Sequence, residues 1–177
     1  GSCTEKSRLQ IECLGEHYEY YGKGSKLQRL TVQPEVLLGL ETQDALVEGV
    51  LKALKSGNTV ALTSCPSEDS VPATLKLAED KGLGDIDVSR KVEETLSILT
   101  KTILSQCTVK LVATGGETAS AIFKEIGSSE FAVSAQLEAS IPLLLDKAAD
   151  GRQRWVVTKS GNFGVEMAFL SLDTGTL

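Results

Sequence analysis

The chain has 177 residues and a formal net charge of −6, from 18 basic and 24 acidic side chains. That length suits one domain with a real core, and 41% apolar residues against 5% aromatics predict a core of Leu, Val, Ile and Ala. The acidic balance, with no run of Lys and Arg and no aromatics set among basic residues, argues against a nucleic-acid partner; no apolar run can span a bilayer, and there is no signal peptide.

Taken in chain order, Thr4 to Leu14 reads as a helix with Leu9 and Leu14 on its apolar side and Gly15 as its stop. The polar, aromatic and glycine-containing stretch from Tyr18 to Lys26 reads as a loop or a frayed helix end. Leu27 to Val32 alternates like a strand, and Pro34 closes it. Asp44 to Ser56 is the clearest early helix: Leu46, Val47, Val50, Leu51 and Leu54 recur at helical spacing before Gly57. Asn58 to Ser64 reads as a buried strand, Cys65 to Ser70 as a loop, and Val71 to Lys81 as a short helix ended by Gly82. Ser89 is placed to cap a long helix running to Gln106, with Val92, Leu96, Leu99, Ile103 and Leu104 as its stripe. Then come a strand over Val109 to Thr114, a helix from about Glu117 to Ile126, and a strand over Phe131 to Gln136. Ile141-Pro142 is assigned to a connection, Arg154 to Gly161 to a last strand with its exit loop, and Val165 to Leu170 to a short terminal helix or strand, with helix preferred. The alternation of strand and helix predicts an α/β fold, a three-layer αβα sandwich with a mainly parallel sheet. No internal repeat, low-complexity tract or linker interrupts it, so residues 1–177 form one domain.

The cysteines at positions 3, 13, 65 and 107 are widely spaced, without a C-x-x-C pair, and His17 is the single histidine. No metal-ligand set is recognisable, and four reduced thiols in a cytoplasmic protein is the expectation.

In open α/β sheets ligands sit beyond the carboxyl ends of the strands. Two strand exits here are glycine-rich: Thr114-Gly115-Gly116-Glu117-Thr118 and Lys159-Ser160-Gly161-Asn162-Phe163-Gly164. Glycine permits positive φ and lets main-chain N–H groups approach a ligand, and a helix starting at Glu117 aims its unpaired amides and positive dipole end at the same place. Together these make a phosphate site without requiring a basic residue. Thr114 and Thr118 offer hydroxyls, Lys159 a mobile positive charge and Ser160 a further donor. Two glycines also suffice for a plain strand-to-helix turn. Glu117 is either an ordinary helix-start acid or a partner for a ribose hydroxyl or a nucleotide-borne metal, and Lys159 either a solvated lysine or a phosphate partner. Neither the P-loop nor the G-x-G-x-x-G spacing is present.

The pair "TGGETASA" and "KSGNFG" resembles the carboxyl-terminal, nucleotide-binding domain of the four-carbon acid sugar kinases. That family shows a strand running into G-G-[DE]-T and a helix, then a Pro-containing connection, then a strand ending K-[ST]-G-x-F-G. "GSCTEKSRLQI" is similar to its opening G-S-x-S-x-x-[ST]-x-x-Q-I, with Ser7, Gln10 and Ile11 in register and Thr4 in place of a serine. One departure is Ala139-Ser140-Ile141-Pro142, where the family often has P-G-[VI]-P.

The resemblance implies a kinase that phosphorylates a 3-oxo-tetronate, threonate or erythronate type of acid sugar with ATP and Mg²⁺. An amino-terminal acid-sugar-binding domain of the same chain would supply the catalytic base, and this domain would hold ATP. The nucleotide contacts carried over by motif are Ser2, Gly115, Gly116, Glu117, Thr118 and Gly161, with Lys159 and Asn162 beside them. No residue of this chain is assigned as a protein metal ligand, and a homo-oligomer is left open. The competing expectations are a non-catalytic module that binds a phosphorylated metabolite, and an oligomerisation domain whose corners hold nothing.

Overall fold

A computed structural model describes residues 3–22, 24–147 and 151–170. The first helix, α1 (Glu5–Tyr21), is capped by Thr4, whose hydroxyl accepts from the Ser7 amide at 3.3 Å. It does not stop at Gly15. Gly15 is buried inside the helix because the Arg29 guanidinium lies against it, where any Cβ would collide. The helix continues through Tyr18, whose hydroxyl is hydrogen-bonded to Thr59. The expected loop from Tyr18 is therefore helical to Tyr21, and tertiary packing overrides the glycine.

Next come β1 (Leu27–Thr31), the short α2 (Pro34–Leu37), α3 (Asp44–Lys55), β2 (Thr59–Thr63) and α4 (Ser70–Asp80). Pro34 closes β1 by starting a helix, the position where its missing N–H is unneeded. The long helix α5 (Asp85–Gln106) begins four residues before the expected Ser89 cap: Gly84 precedes it, and Asp85 and Asp87 lie favourably in its first turn. After it come β3 (Leu111–Thr114), α6 (Gly116–Glu125), β4 (Phe131–Glu138), β5 (Ile141–Lys147) and β6 (Gln153–Lys159). Over Val165 to Leu170 the chain is turn at residues 166–169 and helical only at Leu170, with Ala168 donating to Val165 and Leu170 to Met167.

The strands form two sheets. β1 and β2 pair in parallel, and the second sheet has the order β3-β6-β5-β4. Only β3 and β6 are parallel in it; β5 runs antiparallel to both neighbours. The expected single, mainly parallel sheet is thus corrected to a parallel pair and a mixed sheet. The unread element is β5. Its Pro142 suggests a connection, yet β4 carries an irregularity between Gln136 and Glu138, opposite that proline, which accommodates the missing donor. The β4–β5 turn is Ala139-Ser140, and Ser140 takes φ 64°, a conformation that glycine adopts at less cost.

The main core packs Val32, Leu37, Val47, Val50, Leu51, Leu96, Leu99 and Ile103 between the parallel pair and helices α2, α3 and α5. A second cluster joins Ile141, Leu143, Val157 and Ala168 on the mixed sheet. A buried pair, Asp146 and Arg154, faces across β5 and β6 at 3.3 Å, with the Ser128 hydroxyl donating to Asp146 at 2.6 Å.

Candidate functional site

The two glycine corners are neighbours. Thr114 and Lys159 are register partners at the carboxyl ends of parallel β3 and β6, and the Gly115 amide donates to the Lys159 carbonyl at 2.9 Å, extending the ladder by one bond. The corners nevertheless differ in construction.

At the first corner, Gly115 has φ 91°, ψ 123° and stands immediately before α6. A side chain is strained at that φ, so the turn needs glycine. The amides of Gly116, Glu117 and Thr118 are first-turn amides, and α-helix geometry gives them no intrahelical acceptor. Nothing lies within 4 Å of the place a Cβ would occupy on Gly116, so the space beside the start of α6 is open there. Gly116 and Glu117 are exposed. The Glu117 carboxylate sits where the helix dipole favours it. Thr118 is buried and lines a cavity between β2 and β3.

The second corner is tied down from within. Lys159 is only 2% exposed, and its ammonium donates to the carbonyls of Ser160, Gly161 and Phe163 at 2.9, 3.0 and 3.2 Å. It also stands 5.8 Å from the Phe169 ring centroid, a cation–π contact. Burial lowers its pKa from the ordinary lysine value, and the nearby Lys6 charge adds to the shift. The mobile, solvated lysine expected from sequence is corrected to a buried cation that shapes the loop.

Helix α1 completes this clamp. Thr4 and Ser7 hydroxyls donate to the Gly161 carbonyl at 3.0 and 3.2 Å, and Gln10 donates through Nε2 to Phe163 and Val165 carbonyls at 3.2 and 2.8 Å. Positions 4, 7 and 10 follow helical spacing onto one face. The amino-terminal motif and the K-S-G-N-F-G motif are therefore two halves of one structure. Within the loop, Phe163 donates to Ser160 at 3.1 Å, Gly161 is buried and Asn162 is exposed. Gly164 has φ 80°, and a Cβ there would lie 2.8 Å from Ile141 and 2.9 Å from Ala168. The β4–β5 hairpin touches this loop as well, with Glu138 accepting from the Val165 amide at 3.3 Å. The Ala139-Ser140 departure thus lies next to the corner.

Cys3 and Cys65 are joined by a disulfide that fixes the residue before Thr4 to the exit of β2. The expectation of four reduced thiols is corrected to two, Cys13 and Cys107, and the argument for a cytoplasmic location from reduced cysteines loses its basis. The sequence separation of 62 gives no hint of the pairing, which follows from the start of α1 lying beside the exit of β2. Ser2 lies outside the described residues. Among the described residues, no group of three or more His, Cys, Asp or Glu side chains is placed to hold a metal, and no helix is long and apolar enough to cross a membrane. Asp146, Arg154 and Ser128 lie near the start of β6, at the end opposite the corners, and belong to the core rather than to the site.

Residues 1–169 match the family of the nucleotide-binding C-terminal domain. The chain belongs to that family. This is the domain that the two motifs resemble, and the match includes both glycine corners and the α1 clamp. Among curated proteins, the 3-oxo-tetronate kinase of Pseudomonas savastanoi pv. phaseolicola is 29% identical over 133 residues, covering 75% of this chain and 29% of that protein. Among solved structures, a Haemophilus influenzae protein superposes with a TM-score of 0.74 at 24% identity, covering 100% of this chain and 39% of that one. A Bordetella bronchiseptica protein, a domain-swapped dimer with bound citrate, gives 0.62 at 20% identity over 97% of this chain and 38% of its own. The chain therefore spans 29% of the curated relative and 39% of the first of these solved chains, and the solved structures speak for the fold.

Proposed function

We propose that this domain binds ATP through the first corner and serves a kinase that phosphorylates a four-carbon acid sugar of the 3-oxo-tetronate, threonate or erythronate type. The observation that carries the reading is the open first turn of α6, set one hydrogen bond away from a loop that α1 holds rigid. Amides of Gly116, Glu117 and Thr118 would take phosphate oxygens, with the dipole of a ten-residue helix behind them. The buried Gly161 and the exposed Asn162 lie at the neighbouring strand exit, and Ser2 is assigned there by motif.

The residues present fit a nucleotide's phosphates better than they fit a protein-bound metal. Mg²⁺ would ride on the phosphates, with Glu117 as the one carboxylate of the two corners available to it; its chemistry would be charge neutralisation during phosphoryl transfer. In the corners, residues 114–118 and 159–164, the titratable side chains are Glu117 and the buried Lys159. A base for the acceptor hydroxyl therefore belongs to the acid-sugar domain of a longer chain, and residues 1–177 alone would bind nucleotide without phosphorylating acid sugars.

Calorimetry with ADP, ATP and sugar phosphates tests this reading. Binding of ADP and ATP is the expected result. Binding of a sugar phosphate with no response to ADP would replace it by the alternative, a non-catalytic module for a phosphorylated metabolite.

A further inference from the structure

The two sheets stand apart, and what separates them has a definite shape. A cavity of about 520 Å³ lies between β2 and β3, with Val60 and Leu62 on one wall and Val112 and Thr114 on the other. Helix α1 covers it with Ile11, Leu14 and Tyr18, which follow helical spacing. All five residues of β2 are only half-buried, although β2 lies within the core.

The walls are strand edges. Thr59 donates to Lys26 and the Thr63 carbonyl accepts from Val32, so odd-numbered residues of β2 face β1. Strand alternation then turns the main-chain groups of Val60 and Leu62 towards the cavity. By the same rule, Gly115 donates to Lys159, so Val112 and Thr114 turn their main-chain groups away from β6 and into the cavity. β2 and β3 are not paired with each other. Two parallel edges facing each other across a mostly apolar gap are unusual, since unpaired main-chain groups away from water are costly. A four-residue strand, with about 3.3 Å rise, about 4.8 Å spacing and about 10 Å between layers, occupies on the order of 600 Å³. The gap is the size of one short strand.

The position of Cys3 identifies the occupant. The disulfide to Cys65 holds it at the carboxyl end of β2, and Thr4, the next residue, is bonded to the Gly161 carbonyl beyond the end of β6. Cys3 and Thr4 thus sit at the mouth of the gap, on the edge where β2, β3 and β6 all end. We propose that the segment directly preceding Gly1 in the full-length protein fills this slot as a strand parallel to β2 and β3. Its carboxyl end would feed Cys3, Thr4 and α1. It would join the two sheets into one of seven strands, mainly parallel, with β5 alone running antiparallel. An apolar small molecule would fill the volume but leave both strand edges unpaired. The same chain reaches the slot with no loop to close, which favours it over a second copy. This inference does not depend on the nucleotide reading.

Amide hydrogen exchange on the full-length protein, compared with residues 1–177, tests it. In the full-length protein the amides of Val60, Leu62, Val112 and Thr114 should be protected to the same order as Ala61 and Ala113, which bond within the existing sheets. In residues 1–177 the four should exchange at least 100-fold faster than those two. Equal protection in both proteins would overturn the proposal, because the gap would then close without the segment. Fast exchange of the four in the full-length protein would also overturn it, as would protection that appears only at concentrations where the protein dimerises. If residues 1–177 do not fold, a proline placed three residues before Gly1 in the full-length protein gives the second reading. It should speed exchange at Val60, Leu62, Val112 and Thr114, and no change there would equally sink the proposal.

Discussion

The two glycine corners look alike as sequence and are opposite as structures. At Gly115-Gly116 the first glycine makes the positive-φ turn into α6, and the second has open space where a Cβ would lie. At Gly161 and Gly164 the main chain is gripped instead. Seven hydrogen bonds onto the carbonyls of Ser160, Gly161, Phe163 and Val165 come from Lys159, Thr4, Ser7 and Gln10, and Gly164 is glycine because Ile141 and Ala168 leave no room for a Cβ. On the proposed reading one corner is the site and the other is its scaffold. A glycine-rich exit therefore says that the backbone is close to something, and the partner, ligand or protein, decides which.

The contrast can be broken by substitution. Gly164→Val should have the largest effect: left-handed strain of about 1–2 kcal/mol adds to overpacking of about 1–3 kcal/mol. A loss of about 3 kcal/mol in urea denaturation is expected, with nucleotide binding lost only through unfolding. Gln10→Ala should come next. It leaves the Val165 carbonyl without its donor and takes one of two donors from the Phe163 carbonyl, for about 1–2 kcal/mol of stability, and weakens ADP binding indirectly. Gly116→Asp should do the reverse. An acid at a helix start is favourable, so the melting temperature should hold or rise slightly, while ADP affinity falls at least tenfold by repulsion of the phosphates. If Gly116→Asp binds ADP normally, the open corner is not where phosphates sit. The smallest effect belongs to the hairpin beside the scaffold: Ser140→Gly relieves the positive φ and should add about 0.5–1 kcal/mol without altering affinity.

Much of the fold is legible in the sequence where one rule acts alone. The α3 stripe, the strand at β2 and the strand-to-helix passage at Thr114 are fixed by local spacing, and the structure follows them. The failures come where a distant residue decides. Gly15 ends no helix because Arg29 packs on it, and β5 is a strand despite Pro142 because β4 bends opposite. Lys159 is buried because three carbonyls of its own loop surround the ammonium, which no spacing reveals. The α1 residues Ser7 and Gln10 were visible only through family resemblance; their partners lie more than 150 residues away.

The most direct measurement is an ADP titration of the isotope-labelled protein followed at individual amides. The account predicts large shifts at Gly116, Glu117 and Thr118, with Lys159 Nζ and the Gln10 side-chain amide keeping their free-state environments. Shifts concentrated at Lys159 and Gln10, with the first turn of α6 silent, would contradict it.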